Sequence, residues 1–172
     1  MEKMTSYQVA VSAEAFAAGF FAQAGCDVSV QYGANQPEYD LIVAHRNHFL
    51  KVSVKGSQDG GWGLNQGHKT KDISYQEAVN RWVDVHRDQA VVYCLVQFKG
   101  VQLGECPRVY LATIEEIATA LKEARNGNGE TILWEHHDYI RGVGVGTTDA
   151  IPVEWSFSQE RVQQFLEQNA IS

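Results

Sequence analysis

Residues 39–57, YDLIVAHRNHFLKVSVKGS, decide the fold. Apolar and polar residues alternate on either side of Arg46 and Asn47, the pattern of two strands joined by a tight turn. A two-residue turn puts Asp40 opposite Ser53. Because strand side chains alternate, Asp40, Ile42 and Ala44 then share a face with Phe49, Lys51, Ser53 and Lys55. The opposite face carries Leu41, Val43, Leu50, Val52 and Val54. One face is built for a core; the other gathers an acid, a hydroxyl and two lysines.

Before this hairpin, residues 12–24 read as a helix opened by Ser12 and closed at Gly25, with Phe16, Phe20 and Phe21 as its core-facing stripe. CDVSVQYG reads as a short strand and ANQPE as a turn. After the hairpin, QDGGWGLNQGHKTKD reads as a long surface loop. A helix is expected over about 74–88, and a strongly apolar strand, suited to the interior of a sheet, over about 90–98. RVYLA is a further strand. TIEEIATALKEARNG is a helix with Thr113 and Glu116 in capping-box spacing and Gly127 near its end. ETILWEHH reads as a strand, RGVGVGTTDAIP as a loop, and SQERVQQFLEQNA as a helix opened by Ser158. The expected class is α/β: a mixed central sheet flanked by helices, in one domain over residues 1–172.

Composition sets limits on function. With 172 residues, 44% of them hydrophobic and 20% charged, the chain can bury a continuous core. No stretch approaches the roughly 20 apolar residues that span a bilayer. Acids interrupt the apolar residues near the N-terminus, where a signal peptide has a compact apolar block, so a cytoplasmic location and no membrane partner are expected. Cys26, Cys94 and Cys106 are odd in number and form no CxxC pair, which suggests neither a zinc site nor a disulfide framework. A net charge of −7 argues against broad electrostatic capture of nucleic acid, while leaving room for a local basic groove or a cation held by carboxylates.

Asp40, Ser53 and Lys55 form the main chemical constellation. A carboxylate beside a hard cation, with a lysine close by, suits phosphodiester hydrolysis: oxygen ligands hold the metal, and the lysine positions water or offsets charge on the phosphate. Taken alone, such residues are equally the wet face of an amphipathic hairpin.

The surrounding string resembles the core of the PD-(D/E)XK nucleases. In that family a helix bearing Glu precedes a hairpin whose first strand supplies Asp and whose second supplies an (Asp/Glu/Gln)-x-Lys triplet. This chain has AEAFAAGFFAQAG with Glu14, PEYD with Asp40, and KVSVKGS with Ser53 and Lys55. The match covers about residues 10–60 and is closest to the Holliday-junction-resolvase-like and restriction-type branch. The resemblance implies a restriction endonuclease-like core acting on nucleic acid, on DNA first, with Mg2+ or Mn2+ as cofactor and a homodimer as the assembly. It implies roles in repair, recombination or defence. It assigns Glu14 and Asp40 as metal ligands and Lys55 as the catalytic lysine. Ser53 departs from the pattern, because a neutral hydroxyl is a weak ligand for these ions. Three outcomes stay open: another acid, Glu38 first, enters the site; Asp40, Glu14, waters and carbonyls suffice; or catalysis is lost and a nucleic-acid- or protein-binding regulatory role remains.

Several residues have both a functional and a plain reading. Glu14 also sits where an acid complements the helix dipole, and Lys51 is either a substrate contact or simply solvated. Trp62, His68, Lys69 and Lys71 lie on the loop after Lys55, where an aromatic with basic neighbours could stack a base and contact phosphates, or where the Trp packs back onto the sheet. His136 and His137 are adjacent on an expected strand, so they point to opposite faces and do not chelate one ion. Gly142, Gly144 and Gly146 lack dinucleotide-binding spacing and belong to a loop.

Overall fold

The computed structural model describes residues 3–31 and 38–168. The turn expected at ANQPE falls, except for Glu38, outside the described residues. The chain divides into two compact units, one of Met1–Asp59, Val91–Ala112 and Val153–Ser172, the other of Gly60–Ala90 and Thr113–Pro152.

In the first unit, helix α1 (Ser6–Gln23) starts earlier than the Ser12 boundary because Thr5 caps it. The Thr5 hydroxyl accepts the Gln8 N–H at 3.2 Å, and the Gln8 side chain accepts the Thr5 N–H at 2.8 Å. Gly25 follows the helix at φ 85°, a conformation that favours glycine and turns the chain into β1 (Asp27–Val30). The decisive hairpin is β2 (Leu41–His45) and β3 (His48–Ser57), in the expected register: His45 faces His48 and Leu41 faces Val52. Strands β5 (Val91–Gln97) and β6 (Arg108–Ala112) complete a five-stranded sheet of order β1-β2-β3-β5-β6. Strands β3 and β5 run parallel and the other pairs antiparallel, so the sheet is mixed and the class is α/β.

The apolar hairpin face does what its alternation promised. Leu41, Val43, Leu50, Val52 and Val54 join Val92, Cys94 and Val96 of β5 in one core with Val9, Ala13, Ala17 and Phe21 of α1. Helix α4 (Gln159–Gln168) adds Val162, Phe165 and Leu166 to the same core. Ser158 opens α4, its hydroxyl accepting the Arg161 N–H at 3.0 Å. At Gly56, α1 and β3 approach so closely that a Cβ would lie 2.8 Å from Val9 Cγ1 and 2.9 Å from Ala13 Cβ. That contact sets α1 on the sheet one residue from Glu14 on one side and one residue from Lys55 on the other.

The second unit holds α2 (Tyr75–His86), capped by Ser74, and α3 (Ile114–Gly127), which has the expected Thr113/Glu116 capping box. Its strands are short. In the region read as a glycine-rich loop, β4 (Gly61–Trp62) pairs with β7 (Leu133–Trp134). Strand β8 (His136–Asp138) pairs with β9 (Thr148–Ala150), which lies within the expected loop after Gly142. Among the described residues no helix is long and apolar enough to cross a membrane.

Candidate active site

The regular ladder between β2 and β3 ends at Leu41 opposite Val52. Asp40 does not continue it to Ser53. Its N–H donates to the carbonyl of Val52 at 2.8 Å, so Asp40 and Leu41 both address one residue, the two-to-one count of a β-bulge. Beyond that point β3 has no β2 partner, and Asp40 fills the gap with its side chain: Oδ2 accepts the Val54 N–H at 2.6 Å. The bulge re-aims the carboxylate. Its charge is felt by Glu14 on α1 and by Cys94 in the core beneath α1, whose thiol is pushed up by burial first and by Asp40 second. The bulge thus takes Asp40 out of the regular register with Ser53.

Glu14 is half-buried on α1, and three influences act on its carboxyl. Burial raises its pKa most, the Asp40 charge raises it further, and the Lys55 ammonium lowers it in part. Asp40 and Lys55 are thus both within electrostatic reach of Glu14. Lys55 alternates with Val54 and Gly56, which face α1, so its stem starts on the other face and its charge still reaches Glu14.

Ser53 is not drawn into this group in the same way. It is buried, at 3% exposure, and pairs with Tyr93 of β5, on the face opposite Cys94. The expectation that Asp40 lies opposite Ser53 is corrected here: the Asp40 N–H bonds the Val52 carbonyl instead, the bulge being the physical cause. Glu38 is exposed, and its charge acts on Tyr93, whose hydroxyl is pushed up to about 12 mainly by burial; it is not among the charges acting on Glu14.

Of the expected substrate contacts, Lys51 belongs to the first unit and Trp62, His68, Lys69 and Lys71 to the second. Lys51 is exposed on β3, with Nζ 5.6 Å from the Tyr39 ring centroid. Trp62 is only 3% exposed in β4, so in this conformation its ring offers no open face for a base. Lys69 donates to the Thr70 carbonyl at 2.7 Å and lies 4.9 Å over the Tyr75 ring, His68 sits 6.3 Å from the His86 ring, and Lys71 is exposed. His137 is stacked on Trp134 at 4.5 Å, which gives it a packing role. Cys26 and Cys94 are buried and Cys106 is exposed, all three as free thiols.

Among the described residues no group of three or more His, Cys, Asp or Glu side chains comes together as a ready metal cage. The chemistry of the pair Glu14–Asp40 nevertheless fits a hard cation. Both are oxygen donors of the kind a hard cation takes, and burial and the Asp40 charge together raise the pKa of Glu14.

No family model matches this sequence, and no curated protein matches it.

Proposed function

We propose that this chain is a metal-dependent, nuclease-like protein of the PD-(D/E)XK kind that hydrolyses phosphodiester bonds of DNA. The proposal includes a cytoplasmic location, a homodimeric assembly and a role in repair, recombination or defence. One observation carries it: the charges of Asp40, from the bulge before β2, and of Lys55, from β3, both act on the Glu14 carboxyl of α1. These are the three positions at which the family pattern places its helical Glu, its Asp and its lysine.

In this reading Asp40 and Glu14 would hold Mg2+ or Mn2+. When bound, the ion supplies an activated water at neutral pH by lowering that water's pKa. Asp40 presents its carboxylate from a fixed position, because the Val54 N–H holds one of its oxygens. Lys55 offsets negative charge on the phosphate, a role that suits an ammonium on a long stem beside two acids. Lys51 on the exposed face of β3 would touch the substrate backbone.

Ser53 favours a second reading. A buried hydroxyl on the Tyr93 face supplies no third carboxylate, so the domain could keep the fold and bind nucleic acid or protein without cutting.

The test is nicking of supercoiled plasmid with manganese by wild type, Asp40→Ala and Lys55→Ala. The expected result is nicking that falls by about a hundredfold or more in either variant. Undiminished nicking in both would reject the site. If wild type does not nick, calorimetry decides: manganese binding that Asp40→Ala abolishes supports the silent module, and no binding removes the metal from the proposal.

A further inference from the structure

Helix α2 ends on His86, and a short 3-10 turn over Gln66–His68 brings a second imidazole against it. The His68 and His86 ring centres are 6.3 Å apart, with the ring planes at 78°. Both side chains are half-buried. The His86 ring is held from two directions. Its Nδ1 lies 2.7 Å from the Trp82 carbonyl oxygen one helical turn back, and the Trp82 ring packs against it at 5.8 Å. A carbonyl oxygen only accepts, so Nδ1 carries the hydrogen and Nε2 of the neutral ring keeps its lone pair. His68 makes no hydrogen bond among the described residues.

Edge-on packing of two rings would account for the contact, but it gives the nitrogens nothing to do, and two phenylalanines pack as well. Three features point to a cation. A ring nitrogen that donates to a backbone carbonyl is the usual second contact of a metal-binding histidine, because it fixes the tautomer and orients the opposite nitrogen. The last turn of α2 puts the negative end of the helix dipole beside His86, which favours positive charge there. The spacing is also close to what one ion needs. With metal–nitrogen bonds of about 2.0–2.1 Å, two imidazoles on one zinc have ring centres about 5–6 Å apart. A small rotation of the untethered His68 ring closes the difference.

We propose that His68 and His86 together bind one divalent transition-metal cation, Zn2+ first, with His86 Nε2 as the oriented ligand. Imidazole suits zinc, copper and nickel, whereas magnesium and manganese take oxygen ligands, so this pair and the acid–lysine group select different ions. Among the described residues no third His, Cys, Asp or Glu joins the pair. Water therefore completes the coordination, and the bound ion keeps positions open to a further ligand. The site uses none of Glu14, Asp40 or Lys55 and is independent of the nuclease proposal.

The experiment is a Zn2+ titration of the whole protein, free of any histidine tag, followed by two-bond nitrogen–proton correlation NMR of the six histidine rings. Millimolar Mg2+ is present throughout to occupy acidic sites, which imidazole does not share. His68→Gln and His86→Gln assign the two rings. The expected result is saturable movement of the His86 Nε2 signal and of one His68 nitrogen with a common midpoint, while His86 Nδ1 stays protonated. Either substitution should weaken zinc binding at the remaining ring at least about tenfold, the cost of losing even a group that only orients a ligand. Should His86→Gln, which gives up the Trp82 contact, fail to fold, the wild-type spectra and His68→Gln decide. Two results would overturn the proposal: zinc that leaves the His68 and His86 signals unmoved, whatever it does to the other four histidines, or zinc affinity at His86 unchanged in His68→Gln.

Discussion

Replacing Gly56 by alanine tests how the acid–lysine group is positioned. In the interior of a strand, alanine normally stabilises over glycine by about 0.5–1 kcal/mol, because it loses less backbone freedom on folding. Here the added methyl would stand 2.8 Å from Val9 Cγ1, 2.9 Å from Ala13 Cβ and 2.9 Å from the Val9 carbonyl oxygen. Two of those atoms belong to, or sit directly on, the α1 backbone, so a side-chain rotation cannot clear them. The helix must move off the sheet. Overpacking of this kind costs about 1–3 kcal/mol, which outweighs the propensity gain. With that gain subtracted the net cost is about 1–2 kcal/mol, so for a chain of this length the melting temperature should fall by roughly 2–8 °C, at about 2–4 °C per kcal/mol. Scanning calorimetry at pH 7 measures it, with Gly67→Ala as control, since a Cβ there meets nothing within 4 Å. Adding Val9→Ala removes one obstacle and leaves the Ala13 methyl and the carbonyl, so recovery should be incomplete. If Gly56→Ala melts within a degree of Gly67→Ala, the close approach of α1 to β3, and with it the placement of Glu14 near Lys55, is wrong.

Glu14→Gln should stabilise the protein at pH 7 and make no difference below about pH 4. The folded state raises the Glu14 pKa above its ordinary 4.5, so it keeps a proton that the unfolded chain releases, and stability drops as pH rises through that window. Urea midpoints of wild type and variant at the two pH values check the sign, and a pH-independent difference contradicts it. Ser53→Glu should lower the melting temperature by on the order of 10 °C, because it buries an unpaired carboxyl at a site only 3% exposed. Millimolar manganese should leave that gap open, since Ser53 lies on the Tyr93 face; closure of the gap by manganese would move Ser53 into the metal site. Ala90→Gly should stabilise by about 0.5–1 kcal/mol by relieving a left-handed alanine at φ 47°, and a lower denaturation midpoint would contradict the strain.

The hairpin was legible because its register is enforced from both ends. A two-residue turn at Arg46–Asn47 and an unbroken apolar face leave one pairing that buries Leu41, Val43, Leu50 and Val52 together. Caps were legible where a hydroxyl stood at the right distance from Glu116 or opened the last helix at Ser158. The Thr5–Gln8 box carries the same signal, whereas Ser12, the expected cap, lies inside the helix. The bulge at Asp40 left no mark in the alternation, because it depends on how β2 leaves β3 in three dimensions. Strands β4, β7, β8 and β9 are two or three residues long, too short for a period to show, and they exist only through their partners. The turn at Arg125 and Asn126 hid inside a run of strong helix formers; Asp149, which secures it, is far along the chain.

The end of the β2–β3 ladder explains the site as a consequence of the fold. Where two strands part, one of them exposes an N–H with no partner, and a buried orphan of that kind costs about 1–3 kcal/mol. Asp40 meets the Val54 N–H and so has a structural reason to be acidic or amidic at that position. That reason does not account for its charge, because asparagine offers an equivalent acceptor. Nor does stability account for Glu14, which the fold holds above its ordinary pKa against burial and the Asp40 charge. A Glu14 carboxyl held in a partly buried place beside the Asp40 charge, which Lys55 offsets only in part, is not an arrangement that stability favours. On the proposed reading a bound cation would give both acids a purpose, and Asp40→Asn separates the two roles: it keeps the Val54 contact, so stability should hold or rise, while cation binding should be lost. An Asp40→Asn variant that unfolds more readily and still binds manganese would show that the carboxylate serves the strand end alone.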